Sequence, residues 1–193
     1  FVFMIEEIIN FDEIIFLYLN SLGSQSFDFF WLLITNKFLN FIIYFSLLFA
    51  VFKRYGRIRA LNVLLLAVIL IFIVDQTTNL SKFFFARLRP CYDEQISLLS
   101  RLVTSNCGGK YSFFSAHASN SFALATFFSI LFKNSKILRI VIVFLALLIA
   151  YSRIYIGVHY PLDVIIGGLF GVFFSITYVH FINKHLKNKL FNF

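Results

Sequence analysis

Charge is scarce in this chain: only 13% of its 193 residues are Asp, Glu, Lys or Arg, about half the share found in a soluble domain. Cysteine and proline occur twice each, and tryptophan and methionine once. Two cysteines cannot build a disulfide framework, and no Cys/His cluster accompanies them to suggest a metal centre. The opening residues Phe1, Val2 and Phe3 lack a basic run, so no signal peptide is expected there. Hydrocarbon is what abounds. Sixty per cent of the residues are hydrophobic and 29 are phenylalanine, with a mean hydropathy of +0.87. Such apolar content excludes intrinsic disorder and exceeds what a compact soluble core could hide. The net charge is +8, yet the basic residues punctuate apolar runs instead of sharing one soluble face, which argues against nucleic acid as a partner. The composition is that of a membrane protein embedded in a lipid bilayer, and its basic excess reports topology.

A bilayer-crossing helix needs about 20 mostly apolar residues with charge at its ends. Residues 59–81, 118–132, 137–156 and 162–182 fit, the stretch 118–132 gaining length if its helix begins near Ser115. Residues 38–52 make a fifth span that can extend backwards through Lys37 and Asn36 towards Phe29. Glu6, Glu7, Asp12 and Glu13 interrupt the first 22 residues, which suits an amphipathic helix lying in the interface. The expected fold is therefore all-α, an integral membrane helical bundle. It has five transmembrane helices, six if the N-terminal segment crosses. A single domain covers 1–193, with an interfacial helical region at 1–36, the transmembrane bundle at 37–182 and a cytoplasmic tail at 183–193.

Lys53, Arg54, Arg57 and Arg59 crowd one short connection, Lys133, Lys136 and Arg139 another, and Lys184, Lys187 and Lys189 the tail. The positive-inside rule makes these regions cytoplasmic. Parity then sends the loop of about 83–112 and the connection 155–160 to the opposite face. Those outer segments nevertheless hold Arg87, Arg89, Arg101 and Lys110, with Lys82 and Arg153 beside them. Basic residues placed against the topological bias suit an anionic ligand. If the loop lies outside the cytoplasm, a single Cys91–Cys107 disulfide is favoured. Gly167 and Gly171 give the last span a small-xxx-small pattern, read as close packing within the bundle in preference to dimerisation.

The chemistry-bearing residues gather at helix ends. Lys82 is followed seven residues later by Arg89 and Pro90. Two turns return to nearly the same face, although such residues also anchor helices at an interface. Ser115-Ala116-His117 opens the next helix. Ser115 suits an N-cap, free helical N–H groups suit an anion, and His117 suits either a proton donor or a polar rim. Arg153 ends one span, and His159 stands two residues before Pro161, with Asp163 four residues further on. A carboxylate on one imidazole nitrogen fixes the tautomer and frees the other as a nucleophile. The plainer alternative has Asp163 complementing the helix dipole and His159 facing water. Together the set favours a site where cations clamp a phosphoryl group attacked by histidine, which needs no metal or other cofactor. Asp75, deeper in an apolar helix, is read as a buried partner for Arg or Lys that keeps the site's shape. Trp31, Tyr44 and Tyr151 read as aromatic belt or bundle packing. His180 and His185 read as interfacial residues of the cytoplasmic end.

Lys82-x6-Arg89-Pro90, Ser115-x-His117 and Ser152-Arg153-x5-His159-x3-Asp163 resemble the three-part signature of the type 2 phosphatidic acid phosphatases, whose superfamily includes the vanadium-dependent haloperoxidases. The resemblance covers about residues 60–180. It implies that His159 attacks phosphorus to form a phosphohistidine, that Asp163 orients it, and that His117 is the general acid. Lys82, Arg89, Ser115 and Arg153 would bind phosphate, with the Ala116 N–H as a further donor. One departure stands out: Phe114-Ser115-Ala116-His117 replaces the family's Pro-Ser-Gly-His, and alanine keeps the backbone donor that glycine supplies.

The expected activity is hydrolysis of a lipid phosphomonoester or terminal pyrophosphate at the outer face of a bacterial cytoplasmic membrane. The small size resembles the undecaprenyl-diphosphate phosphatases, which puts that substrate first. Phosphatidylglycerophosphate, phosphatidate and the lipid A phosphates are the alternatives. A haloperoxidase is less fitting because those relatives are larger and soluble. A transporter is less fitting because it would carry paired halves and broken helices at the midplane.

Overall fold

The computed structural model describes residues 2–185. The eight α-helices are α1 (Val2–Ser21), α2 (Gln25–Ile34), α3 (Lys37–Tyr55), α4 (Arg57–Phe85), α5 (Ile96–Leu99), α6 (Ala116–Leu131), α7 (Lys136–Tyr155) and α8 (Pro161–His185), with a 3-10 turn at Pro90–Tyr92. The expected tail from residue 186 onwards, with Lys187 and Lys189, lies outside the described residues.

Four of these helices, α3, α4, α7 and α8, are long and apolar enough to cross a membrane. The fifth expected span, α6, has 16 residues, about 24 Å of rise, short of a roughly 30 Å hydrocarbon core. It lies at the centre, packed against α4, α7 and α8, so the long helices rather than lipid surround most of it. Ser115 starts α6 as its N-cap, accepting from the Ala118 N–H, as the extension of 118–132 requires. The backward extension of 38–52 towards Phe29 does not occur. Thr35 ends α2 and Asn36 begins α3 afresh, its side-chain oxygen taking the Phe38 and Leu39 N–H groups.

α6 and α8 touch along their backbones. A Cβ built on Gly171 would stand 2.2 Å from the Ser119 carbonyl oxygen, and one on Gly167 2.8 Å from that of Ser115. The two glycines thus serve packing inside the bundle. At the end carrying Lys53, Arg54 and Lys133 the core is aliphatic and aromatic, including Val51, Val63, Phe127 and Leu131. α3 leans on α4 less closely, and between them opens an apolar groove of about 610 Å3, walled by Phe45, Leu48, Val68, Phe72 and Phe128.

α1 inverts the expected polarity of an interfacial helix. Asp12, Phe16 and Asn20, spaced four apart, form its buried stripe, while Ile5, Ile8, Phe11, Ile14 and Tyr18 face outwards. Asn20 ties α1 to the loops: its amide donates to the Arg101, Ile154 and Tyr155 carbonyls and its oxygen accepts the Arg101 N–H. The acids read as a water-facing face divide, with Glu6 and Glu7 exposed and Asp12 only 2% exposed.

Candidate active site

The site is assembled where α4, α6, α7 and α8 have their ends at one face. Lys82 occupies the last turn of α4, and Ala86 in a left-handed conformation turns the chain out of the helix. The following loop folds back on itself. Arg89 N–H donates to the Lys110 carbonyl and Ser112 N–H to that of Arg87. Cys91 and Cys107, whose Cα atoms are 6.4 Å apart, are joined by a disulfide across this loop. The buried Arg89 guanidinium is held by its Nε–H to the Tyr111 carbonyl (3.2 Å) and Nη1–H to that of Val158 (3.4 Å). Burial also draws its pKa below the ordinary arginine value.

His159 stands between α7 and α8. Gly157 makes this turn possible: its φ is +83° and an added Cβ would come 2.5 Å from the Arg101 carbonyl oxygen. The Val158 and His159 N–H groups both close onto the Arg153 carbonyl. Behind the imidazole sits Asp163, fully buried in the first turn of α8. One carboxylate oxygen accepts the Tyr160 N–H at 3.0 Å and lies 3.3 Å from His159 Nδ1. A carboxylate can only accept, so Nδ1 carries the proton and Nε2 keeps its lone pair. Burial, followed by the nearby Arg89, Arg153 and Lys82 charges, holds the His159 pKa well below 6.5.

A cavity of about 740 Å3 opens before His159. Its upper wall carries Lys82, Arg89, Ala116, His117, Arg153 and His159, while Asp75, Asn79 and Asn120 line it further along α4 and α6. The cations and both histidines named from the sequence therefore share one chamber. Ser115 is fully buried outside the cavity lining, its hydroxyl oxygen committed to the α6 cap and its N–H to the Asp163 carbonyl. Asp163 is likewise absent from the lining and reaches the chamber through His159. Arg153 donates to the Thr35 hydroxyl, which brings the α2–α3 junction to the rim.

Several sequence readings change. Asp75 has amides for partners, not a cation. Asn120 Nδ2 meets one carboxylate oxygen and Asn79 Nδ2 the other, both at 3.2 Å. Seven residues of helical rise place Lys82 about 10 Å along α4 from it. Tyr44 packs against the bundle core, as the packing reading has it, and also lines the cavity. Trp31 and Tyr151 do pack, their rings 5.0 Å apart edge to face, with Tyr155 stacked on Trp31. His185, at the far end, tilts over Phe181.

The sequence missed an ionic chain behind His159. Arg87 Nη1 is 3.3 Å from Asp163 Oδ1, and its Nη2 is 2.7 Å from Asp12 Oδ2. Asp12 Oδ1 in turn accepts the Leu162 N–H at 2.8 Å, beside an Arg87 guanidinium stacked 4.0 Å over the Tyr160 ring. Arg87 thus backs the site and leaves the anion clamp to its neighbours. The available signal was Asp12 at i, i+4 spacing with Phe16, compatible with an inward stripe as readily as with an interfacial one.

The model of the "PAP2 superfamily" matches residues 59–187. A lipid A 4'-phosphatase of Bacteroides thetaiotaomicron is 34% identical over 172 residues, 88% of this chain and 76% of that protein. A lipid A 4'-phosphatase of Porphyromonas gingivalis is 34% identical over 180 residues, 93% of this chain and 74% of that one. The crystal structure of a PAP2-type phosphatidylglycerolphosphate phosphatase from Bacillus subtilis superposes with a TM-score of 0.72 over 93% of this chain and 88% of that one, at 19% identity, which speaks for the fold. With its cations, paired histidines and helix-end carboxylate arranged around one chamber, the chain belongs to the PAP2 superfamily.

Proposed function

We propose that this PAP2 lipid phosphatase removes a phosphate from a phosphorylated glycolipid of the lipid A class through a phosphohistidine at His159. The observation that carries the chemistry is the His159–Asp163 pair at 3.3 Å facing a chamber lined by Lys82, Arg89 and Arg153. The neutral imidazole attacks phosphorus through Nε2 as the P–O bond to the lipid breaks, and His117 supplies the proton to the departing oxygen. Water then attacks the phosphohistidine and its proton passes to His117, which releases phosphate and regenerates His159. The three cations neutralise the charge gathering on the phosphoryl oxygens, so this scheme assigns no step to a metal. Undecaprenyl diphosphate, put first from the sequence, yields to the lipid A alternative, since relatives named for lipid A are similar over most of the chain. The basic end at Lys53, Arg54 and Arg57 supports a cytoplasmic placement of that face, with the chamber opening to the periplasm.

Phosphate release by the purified protein in detergent with EDTA tests this reading. Lipid A is expected to turn over faster than undecaprenyl diphosphate, phosphatidylglycerophosphate or phosphatidate. His159→Ala should lose at least about a thousandfold in kcat/KM. Release that stops on adding EDTA, or survives in His159→Ala, would overturn the mechanism, and a faster rate on a polyprenyl substrate would overturn the substrate class.

A further inference from the structure

Beneath the phosphate clamp the chamber changes character. Asp75 and Asn79 lie seven and three residues before Lys82 on α4, and Asn120 lies three residues after His117 on α6. By helical rise these side chains stand roughly 5–10 Å deeper than the reacting groups. Both Asn79 and Asn120 turn their Nδ2 groups onto the Asp75 carboxylate. That fixes the Asn120 amide with its Oδ1 pointing away from the acid, buried and without a hydrogen-bond partner. On α3, Asn40 also lines the chamber. Its Nδ2 donates to the Ile34 carbonyl, and its buried Oδ1 accepts nothing. One Nδ2–H of each amide is taken internally, and the atoms left buried without a partner are oxygens, the two amide Oδ1 atoms, beside the spare lone pairs of a carboxylate. Below Asp75 the apolar groove between α3 and α4 begins, sharing Tyr44, Ile71 and Asp75 with the chamber.

We infer that Asp75, Asn120 and Asn40 form a headgroup subsite that accepts hydrogen bonds from the O–H and N–H groups of an amino sugar carrying the scissile phosphate. Rising from the groove, the wall offers hydrocarbon, then hydrogen-bond acceptors, then cations. An acylated phosphosugar presents fatty chains, then hydroxyl and amide donors, then phosphate in the same order. Phosphatidate fits poorly, because its esters beneath the phosphate can only accept. A polyprenyl chain would lay hydrocarbon on the carboxylate. A buried acceptor left without a donor costs free energy, so the same three residues reject both ligands while admitting the sugar. The inference rests on reading the chamber as a lipid phosphatase site, and it gives that reading its specificity element.

Two measurements separate this subsite from the reaction itself. The first is kcat/KM of the full chain on a phosphorylated, acylated diglucosamine and on phosphatidate of matched chain length. It is compared among wild type, Asp75→Asn and Asn120→Leu. Loss of a hydrogen bond to a charged or buried group should cost about ten- to a hundredfold on the glycolipid, expressed mainly in KM, while phosphatidate, no longer facing an unmatched acceptor, should turn over at least as fast as with wild type. Retained phosphatidate turnover reports a folded variant. The second is equilibrium binding of both lipids to His159→Ala, with and without Asp75→Asn, which reads recognition where no turnover occurs. The preference for glycolipid should fall by a similar factor when Asp75 is replaced. Equal losses on both lipids would mean that Asp75 only holds the helices together, and unchanged ratios would mean that the acceptors meet no ligand. Either result overturns the subsite. A wild type that binds the glycolipid selectively through Asp75 yet releases no phosphate would retain the subsite and sink the proposed reaction.

Discussion

The two sides of the bundle are built to opposite standards. On one, α6 and α8 meet backbone to backbone along Gly167 and Gly171, and the α1 stripe locks against the start of α8 through Asp12. On the other, α3 and α4 stand apart around a groove of about 610 Å3 whose Phe45 and Phe72 are exposed. His159 and its carboxylate lie on the tight side, where, under the proposed mechanism, a fraction of an ångström matters to in-line attack. The loose side faces hydrocarbon, where lipid can substitute for protein neighbours. Rigidity is thus concentrated around His159 and withheld from the walls of the apolar groove.

The contrast can be broken most severely at Asp12. Asp12→Ala leaves Arg87 without one carboxylate in a nearly dry setting and removes the acceptor for the Leu162 N–H. Losing one partner of a buried pair costs about 3–5 kcal/mol. Thermal unfolding should register that loss, and kcat should fall because Arg87 no longer steadies Asp163. Asp12→Asn, which keeps an acceptor for Leu162, should recover part of both. A normal kcat in a destabilised Asp12→Ala would detach α1 from the chemistry. Next in size is Gly171→Ala, whose new Cβ must find room 2.2 Å from the Ser119 carbonyl oxygen. Overpacking of this kind costs about 1–3 kcal/mol, and the melting temperature measures it.

The pH profile sharpens the comparison without a mutation. His159 is held neutral by burial and by surrounding cations, so its folded pKa lies below the 6.5 of an unfolded imidazole. Below pH 6.5 the unfolded chain therefore takes up a proton that the folded site refuses, and this contribution to stability fades as pH falls through that range. The acid limb of kcat/KM should correspondingly sit well under 6.5. A limb at or above 6.5 would contradict the buried, cation-ringed setting. The smallest effect belongs to the loose side. Phe72→Ala should change stability by less than about 0.5 kcal/mol, while altering the preference for acyl chain length measured with a homologous series of lipids.

Hydropathy made the long helices legible, because α4, α7 and α8 are apolar runs ended by charge, and local spacing made the His159–Asp163 pair legible. The reading failed where polarity is locally ambiguous. Asp12 in an apolar helix can face water or a buried arginine, and only its partner decides which. Arg87 sits two residues from Arg89, and nothing in that spacing tells which of them turns to the ligand. Ser115 was open to both roles, a cap and a phosphate donor; its oxygen accepts the Ala118 N–H, which leaves its own O–H to donate. Tyr44 depends on how far α3 stands from α4 and Asp75 on how α6 faces α4, tertiary quantities without a one-dimensional signature.

The hydrogen bond from the Leu162 N–H to Asp12 links residues 150 apart in the chain. In biosynthesis α1 is the first of the described helices to be made and α8 the last. Until α8 emerges, Asp12 has Arg87 at hand but not the Leu162 N–H. A nascent chain stopped before α8 holds neither His159's carboxylate nor the turn that Asp12 caps. The chamber is complete only once α8 has joined the bundle, so a chain that lacks this helix holds an unfinished site.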